Sequence, residues 1–103
     1  MADHALTSVL WFRIKPGMNE EFEQAFADCG MLERPRVIAG YRGATLHRSI
    51  TRADEYFVLG TWDSEDDYSA WKAIASDGAP PDALARLART IDKSTTGSLL
   101  RPC

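Results

Sequence analysis

Residues 7–15, TSVLWFRIK, alternate between Leu10, Phe12 and Ile14 on one side and Val9, Trp11 and Arg13 on the other. Both sets are bulky, which predicts a strand covered on each face. Pro16-Gly17 breaks it. From Met18 to Gly30 the period lengthens, with Met18, Phe22, Ala25, Phe26 and Cys29 recurring at helical steps. The acids Glu20, Glu21 and Glu23 crowd the start of this helix, where its dipole favours negative charge, and Gly30 is a natural stop. Cys29 lies on the apolar stripe and reads as a small buried hydrophobe. Residues 31–42 read as a connection. Residues 43–50 and 55–62, joined by the Thr51–Asp54 turn, predict a hairpin.

Ser64 followed by Asp67, with Glu65 and Asp66 between them, is a variant of the capping box and opens a second helix. Tyr68, Trp71 and Ile74 or Ala75 form its apolar side, and Asp77-Gly78-Ala79-Pro80-Pro81 interrupts it. A third helix follows with Leu84, Leu87, Ala88 and Ile91, and residues 95–101 predict a last strand. The order strand, helix, strand, strand, broken helix, strand is that of the split βαβ arrangement. The expected fold is therefore α+β, a ferredoxin-like four-stranded antiparallel sheet with its helices on one face. The other face, expected to carry Trp11, Val58 and Trp62, is too apolar to leave in water. Pairing of two sheets across a two-fold axis would cover it, which predicts a homodimer.

Composition narrows the picture by exclusion. At 103 residues the chain has room for a single domain, 1–103, and 45% apolar with 26% charged residues excludes a disordered chain. The net charge of −3 comes without a basic cluster, which argues against nucleic acid as a partner. No apolar run approaches bilayer length and no signal segment opens the chain, so a soluble cytoplasmic protein without membrane attachment is expected. Two cysteines, Cys29 and Cys103, are too few for a disulfide scaffold or a four-cysteine metal site, and with only His4 and His47 a histidine-rich metal site is not expected within one subunit.

The familiar nucleotide, zinc and nucleophile motifs are absent. Alternation puts Thr45, His47 and Ser49 on one side of the second strand and Leu46, Arg48 and Ile50 on the other, under the helices. His47 is then either a solvated strand histidine or a base working near neutral pH on the dimer-covered side. Tyr56, Val58, Gly60 and Trp62 share a face of the third strand, and Gly60 marks either a bulge or the close approach of a ligand. Trp62, Tyr68 and Trp71 are either core or the walls of a pocket for a planar ligand. Arg86 and Arg89 are either a solvated helix face or a grip on a phenolate or carboxylate at the pocket mouth.

The strings RIKPGMNEEFEQAF at 13–26 and YFVLGTWDSEDDYSAW at 56–71, with GYRGATLHRS at 40–49, resemble the antibiotic biosynthesis monooxygenase family. The resemblance implies a dimeric α/β barrel. It also implies a cofactor-independent monooxygenase that oxidises an anthrone- or hydroquinone-like aromatic polyketide intermediate to a quinone with molecular oxygen. On that pattern Trp62 matches a pocket tryptophan, Tyr68 a pocket tyrosine, His47 a second-strand histidine and Arg86 a helix arginine. Trp62, His47 and Arg86 are the catalytic candidates, and Trp11, Arg13, Val58, Gly60, Tyr68 and Trp71 the substrate-binding ones. Family members often carry an asparagine in the first strand or near the end of the hairpin strand. The only asparagine here is Asn19, at the first helix, which leaves the oxygen-polarising role to Trp11 or Arg13. The haem-degrading branch uses a histidine on the later helices, and residues 63–103 contain none. The alternative is a non-oxidative barrel: a small-molecule binding protein, or a cyclase or isomerase with His47 as its base.

Overall fold

Strand β1 (Leu6–Ile14) runs through the middle of the sheet and pairs with three of the other four strands. The computed structural model describes residues 5–103, so His4 lies outside the described residues. After β1 come α1 (Asn19–Asp28), a short 3₁₀ turn at Arg34–Val37, β2 (Tyr41–Arg48), β3 (Glu55–Trp62), α2 (Glu65–Ile74), α3 (Pro81–Thr90), β4 (Ile91–Ser94) and β5 (Ser98–Leu100). The sheet is antiparallel, ordered β2-β3-β1-β4, with β5 also on β1. This is the ferredoxin-like α+β arrangement expected from the element order.

The helices form where the spacing placed them. In α1, Phe22, Ala25 and Phe26 are buried, and Cys29 beyond its end is fully buried, which pushes its thiol pKa up by desolvation. The Ser64 hydroxyl accepts the Asp67 N–H at 3.2 Å and lies 2.7 Å from the Asp67 carboxylate, capping α2. Two details depart from expectation. Ile91 leaves the helix and opens β4 with extended backbone, and the last strand is divided, β4 pairing with Phe12–Ile14 and β5 with Thr7–Val9. Ile50 does not pack under the helices: β2 ends at Arg48, alternation lapses there, and Ile50 is fully exposed.

Register decides the two faces of the sheet. Leu10 pairs with Val58, and Val58 with Leu46, so these even-numbered positions all point toward the helices. Ser8, Phe12, Ile14, Tyr56, Gly60 and Trp62 join them. The expectation that Val58 and Trp62 share the open face with Trp11 is therefore corrected. Trp11 pairs with Phe57, and the open face carries Val9, Trp11, Phe57, Leu59 and His47. A bulge between Tyr41 and Gly43 interrupts the start of edge strand β2.

The interior is divided into two clusters. Phe12, Ile14, Phe22, Phe26, Tyr56 and Leu87 belong to the larger one, with the Phe22 and Tyr56 rings 4.5 Å apart. Trp62, Tyr68 and Trp71 form the smaller one beneath α2. Helices α1 and α3 lie side by side, whereas α2 rests mainly on β3. Arg34 ties the two halves together. It donates to the Cys29 carbonyl at 3.0 Å and to the Ala75 carbonyl at 2.6 Å, and it sits 5.2 Å over the Trp71 ring. One guanidinium thus serves the C-terminal ends of two helices, α1 and α2.

Candidate active site

The separation of α2 from the α1–α3 pair leaves a cavity of about 360 Å³ between the sheet and the helices. That volume falls at the lower end of the range for small-molecule sites, about 300–1,000 Å³. Its floor is sheet: Ser8, Leu10, Phe12, Ala44, Val58 and Gly60. One wall is Phe26 and Leu87 from α1 and α3, and the other is Tyr68, Trp71, Lys72 and Ala75 from α2. Trp62 and Tyr41 close one end, and Thr96 from the β4–β5 connection reaches the rim.

The aromatic side chains are stacked in sequence. The Trp62 ring lies 5.0 Å from Tyr41 and 5.3 Å from Tyr68, both tilted. Tyr41 is anchored by its hydroxyl, which donates to the Leu32 carbonyl at 2.6 Å. Trp62 is anchored by its indole Nε1–H, which donates to the buried Ser8 hydroxyl at 3.0 Å. That bond explains Gly60, which lies between them. A Cβ there would sit 2.7 Å from Ser8 Oγ and 3.0 Å from Trp62 Nε1, so any side chain would pry the pair apart. Neither a bulge nor a ligand is needed to account for this glycine. Gly97, at φ +93°, plays a similar part on the rim, where a Cβ would meet the Tyr68 hydroxyl at 2.6 Å. Burial pushes the Tyr68 phenol above its ordinary pKa, so it stays protonated and is a hydrogen-bond donor at neutral pH.

Five of the nine expected site residues meet at this cavity: Trp62, Val58, Gly60, Tyr68 and Trp71. The other four do not. His47 stands on the open face of the sheet, its ring 2.7 Å from the Thr45 hydroxyl. Trp11 and Arg13 are on that same face, Trp11 donating to Glu55 at 3.1 Å and Arg13 to Asp92 at 2.9 Å. Arg86 is on the outer surface of α3, where it donates to Asp28 at 2.8 Å and holds that carboxyl below its usual pKa. It faces away from the cavity. Trp62, His47 and Arg86 are thus not brought together within one subunit.

Sequence reasoning missed Ser8, Tyr41 and Lys72. Ser8 was legible in principle, since it shares the parity of Leu10 and Phe12 in β1. Lys72 was legible as the residue one helical turn beyond Tyr68, and its ammonium lies 4.9 Å from that ring. Among the described residues no group of three or more His, Cys, Asp or Glu could hold a metal ion, and no helix is long and apolar enough to cross a membrane.

Comparison with known proteins agrees with this architecture. The chain is similar over its length to SnoaB, a cofactor-independent oxygenase from Streptomyces nogalater, at 20% identity and a TM-score of 0.71, covering 97% of this chain and 94% of that one. A conserved protein from Methanosarcina mazei Go1 matches at 19% identity and a TM-score of 0.75, covering 98% and 95%. A nipsnap family protein of unknown function from Agrobacterium tumefaciens matches at 17% identity and a TM-score of 0.73, covering 100% and 92%. At these identities the likeness speaks for the fold alone. No curated protein matches the chain. The sequence profile for antibiotic biosynthesis monooxygenases matches residues 6–75, the stretch that runs from β1 through α2 and supplies most of the cavity, so the chain belongs to the antibiotic biosynthesis monooxygenase family.

Proposed function

We propose that the protein is a cofactor-independent monooxygenase that oxidises a planar, electron-rich aromatic, an anthrone- or hydroquinone-like polyketide intermediate, to a quinone. The observation that carries this reading is the aromatic-walled cavity: Tyr41, Trp62, Tyr68 and Trp71 line a largely apolar space of a size that takes a small planar ring system. In such a reaction the substrate supplies the electrons. An anthrone methylene loses a proton, and the resulting carbanion transfers electrons to molecular oxygen. One oxygen atom ends as the new carbonyl and the other leaves as water. The protein's share is to orient the substrate, exclude water and donate a hydrogen bond to the developing oxyanion. The neutral Tyr68 hydroxyl, on a side chain that lines the cavity, is the proposed donor for that role.

The geometry favours this reading over a cyclase or isomerase built on His47, which stands across the sheet from the cavity. Two copies are proposed to pair through the open faces, burying Val9, Trp11, Phe57, Leu59 and Leu100, the last of these half-exposed in one subunit. The cavity lies on the other side of the sheet, so each subunit carries a whole one.

The test is oxygen uptake by chelator-treated protein with a panel of anthrones and hydroquinones, against a no-enzyme control that accounts for autoxidation. Protein-dependent uptake that falls at least tenfold in Tyr68→Phe is expected. Planar ligands that bind without any uptake would replace the enzyme reading with that of a binding protein.

A further inference from the structure

The charge inventory of the cavity is unusual for a site of proton abstraction. Among the residues that line it there is no carboxylate and no imidazole, and the one ionisable group besides the tyrosines is the Lys72 ammonium. No acidic side chain of the described residues pairs with that ammonium, which instead lies 4.9 Å over the Tyr68 ring at the rim. The nearby cation, Arg34, is occupied by the carbonyls of Cys29, Ile74 and Ala75 and does not line the cavity. The site therefore offers an incoming ligand one positive charge and no negative one. The charge sits at the solvent-exposed rim, and an anion seated between it and the apolar wall would be partly shielded from water by its own rings.

Resting on the proposed oxidation of a planar aromatic, we infer that Lys72 selects substrates that carry an ionised phenol or enol, and holds that oxyanion at the cavity rim. Lys72 thereby stands in for the missing base. It removes no proton. Instead it stabilises the substrate's anion, and the proton passes to solvent at the rim. The rings lie inward between Trp62 and Leu10, with the oxyanion outward between Lys72 and the Tyr68 hydroxyl. Both donors sit on α2 one turn apart, so a single helix face presents them together.

Calorimetric titration of the full chain at fixed neutral pH tests this with two probes of the same shape. One is 4-nitro-1-naphthol, a planar phenol that ionises readily; the other is its methyl ether, which cannot. The wild type should bind the naphthol at least tenfold more tightly than the ether. Lys72→Met should lose that preference with ether affinity unchanged, and Lys72→Arg should keep it. Because Lys72 is exposed, its replacement leaves the interior packing intact. Equal affinity for the two probes in the wild type, or a preference that survives in Lys72→Met, overturns the inference while leaving the aromatic cavity in place. Failure of both probes to bind would overturn the cavity reading itself.

Discussion

The hydrogen bond from Trp62 to Ser8 fixes the end wall of the cavity, and its worth can be isolated by a double-mutant cycle. Trp62 is 2% and Ser8 6% exposed, and the bond spans strands β3 and β1. Ser8→Ala leaves the indole N–H buried without an acceptor, at a cost of about 1–3 kcal/mol. Trp62→Phe leaves the Ser8 hydroxyl without its donor and also removes ring volume, so the combined cost is roughly 2–4 kcal/mol. In the double variant neither orphaned group remains. Its cost should then fall short of the sum of the two singles by about 1–2 kcal/mol, within the range seen for side chains in contact. The assay is urea denaturation followed by far-UV circular dichroism, at one fixed protomer concentration so that self-association does not enter. In a domain of this size each kcal/mol corresponds to about 4–8 °C in Tm, so the shortfall is readily resolved. If the singles add to within about 0.5 kcal/mol, the bond contributes nothing specific and Gly60 needs another explanation.

Two further predictions come from the tyrosines and from the open face of the sheet. Tyr41, Tyr56 and Tyr68 all have their phenol pKa values raised, burial being the first cause in each, with the Glu23 carboxylate adding to it at Tyr56. The unfolded chain ionises these groups near the ordinary value of about 10, while the folded one resists. Their contribution is therefore complete below that pH and is lost as pH climbs through the folded values. The urea midpoint should fall steadily above about pH 10, with a shallower fall in Tyr68→Phe; a midpoint flat through that range would contradict the assigned burial. Leu59→Lys, at the centre of the open face, should shift sedimentation equilibrium from dimer to monomer. A wild type already monomeric at the same concentration would dismiss the paired-sheet arrangement.

Local signals carried most of the fold. Phe22 and Phe26 lie one turn apart and made α1 legible, and the Ser64–Asp67 pair marked the start of α2 within a residue. What single-chain periodicity could not supply was the register between strands. Alternation showed that Val58, Gly60 and Trp62 share a face, but only the pairing of Leu10 with Val58 shows that this face meets the helices. The same gap misplaced the chemistry. His47 and Arg86 belong to residue types that do chemistry, and nothing local reveals that one lies across the sheet and the other on the outside of α3. Lys72 was overlooked for the converse reason: a lysine on an amphipathic helix reads as solvated surface until the cavity beside it is seen.

The interrupted rims of the sheet have a consequence for how the protein avoids unwanted assembly. An open sheet invites strand addition wherever an edge is long, flat and unpaired. At one edge, β2 begins with a bulge and carries Arg42 and Arg48. At the other, the pairing strand is split into pieces of four and three residues with Gly97 between them. The regular outer edge is thereby shortened on both sides: to Gly43–Arg48 in β2, and to two short pieces at the other rim. In the proposed pairing through the broad face, association would close on itself after two copies, whereas growth from an edge would stay open-ended.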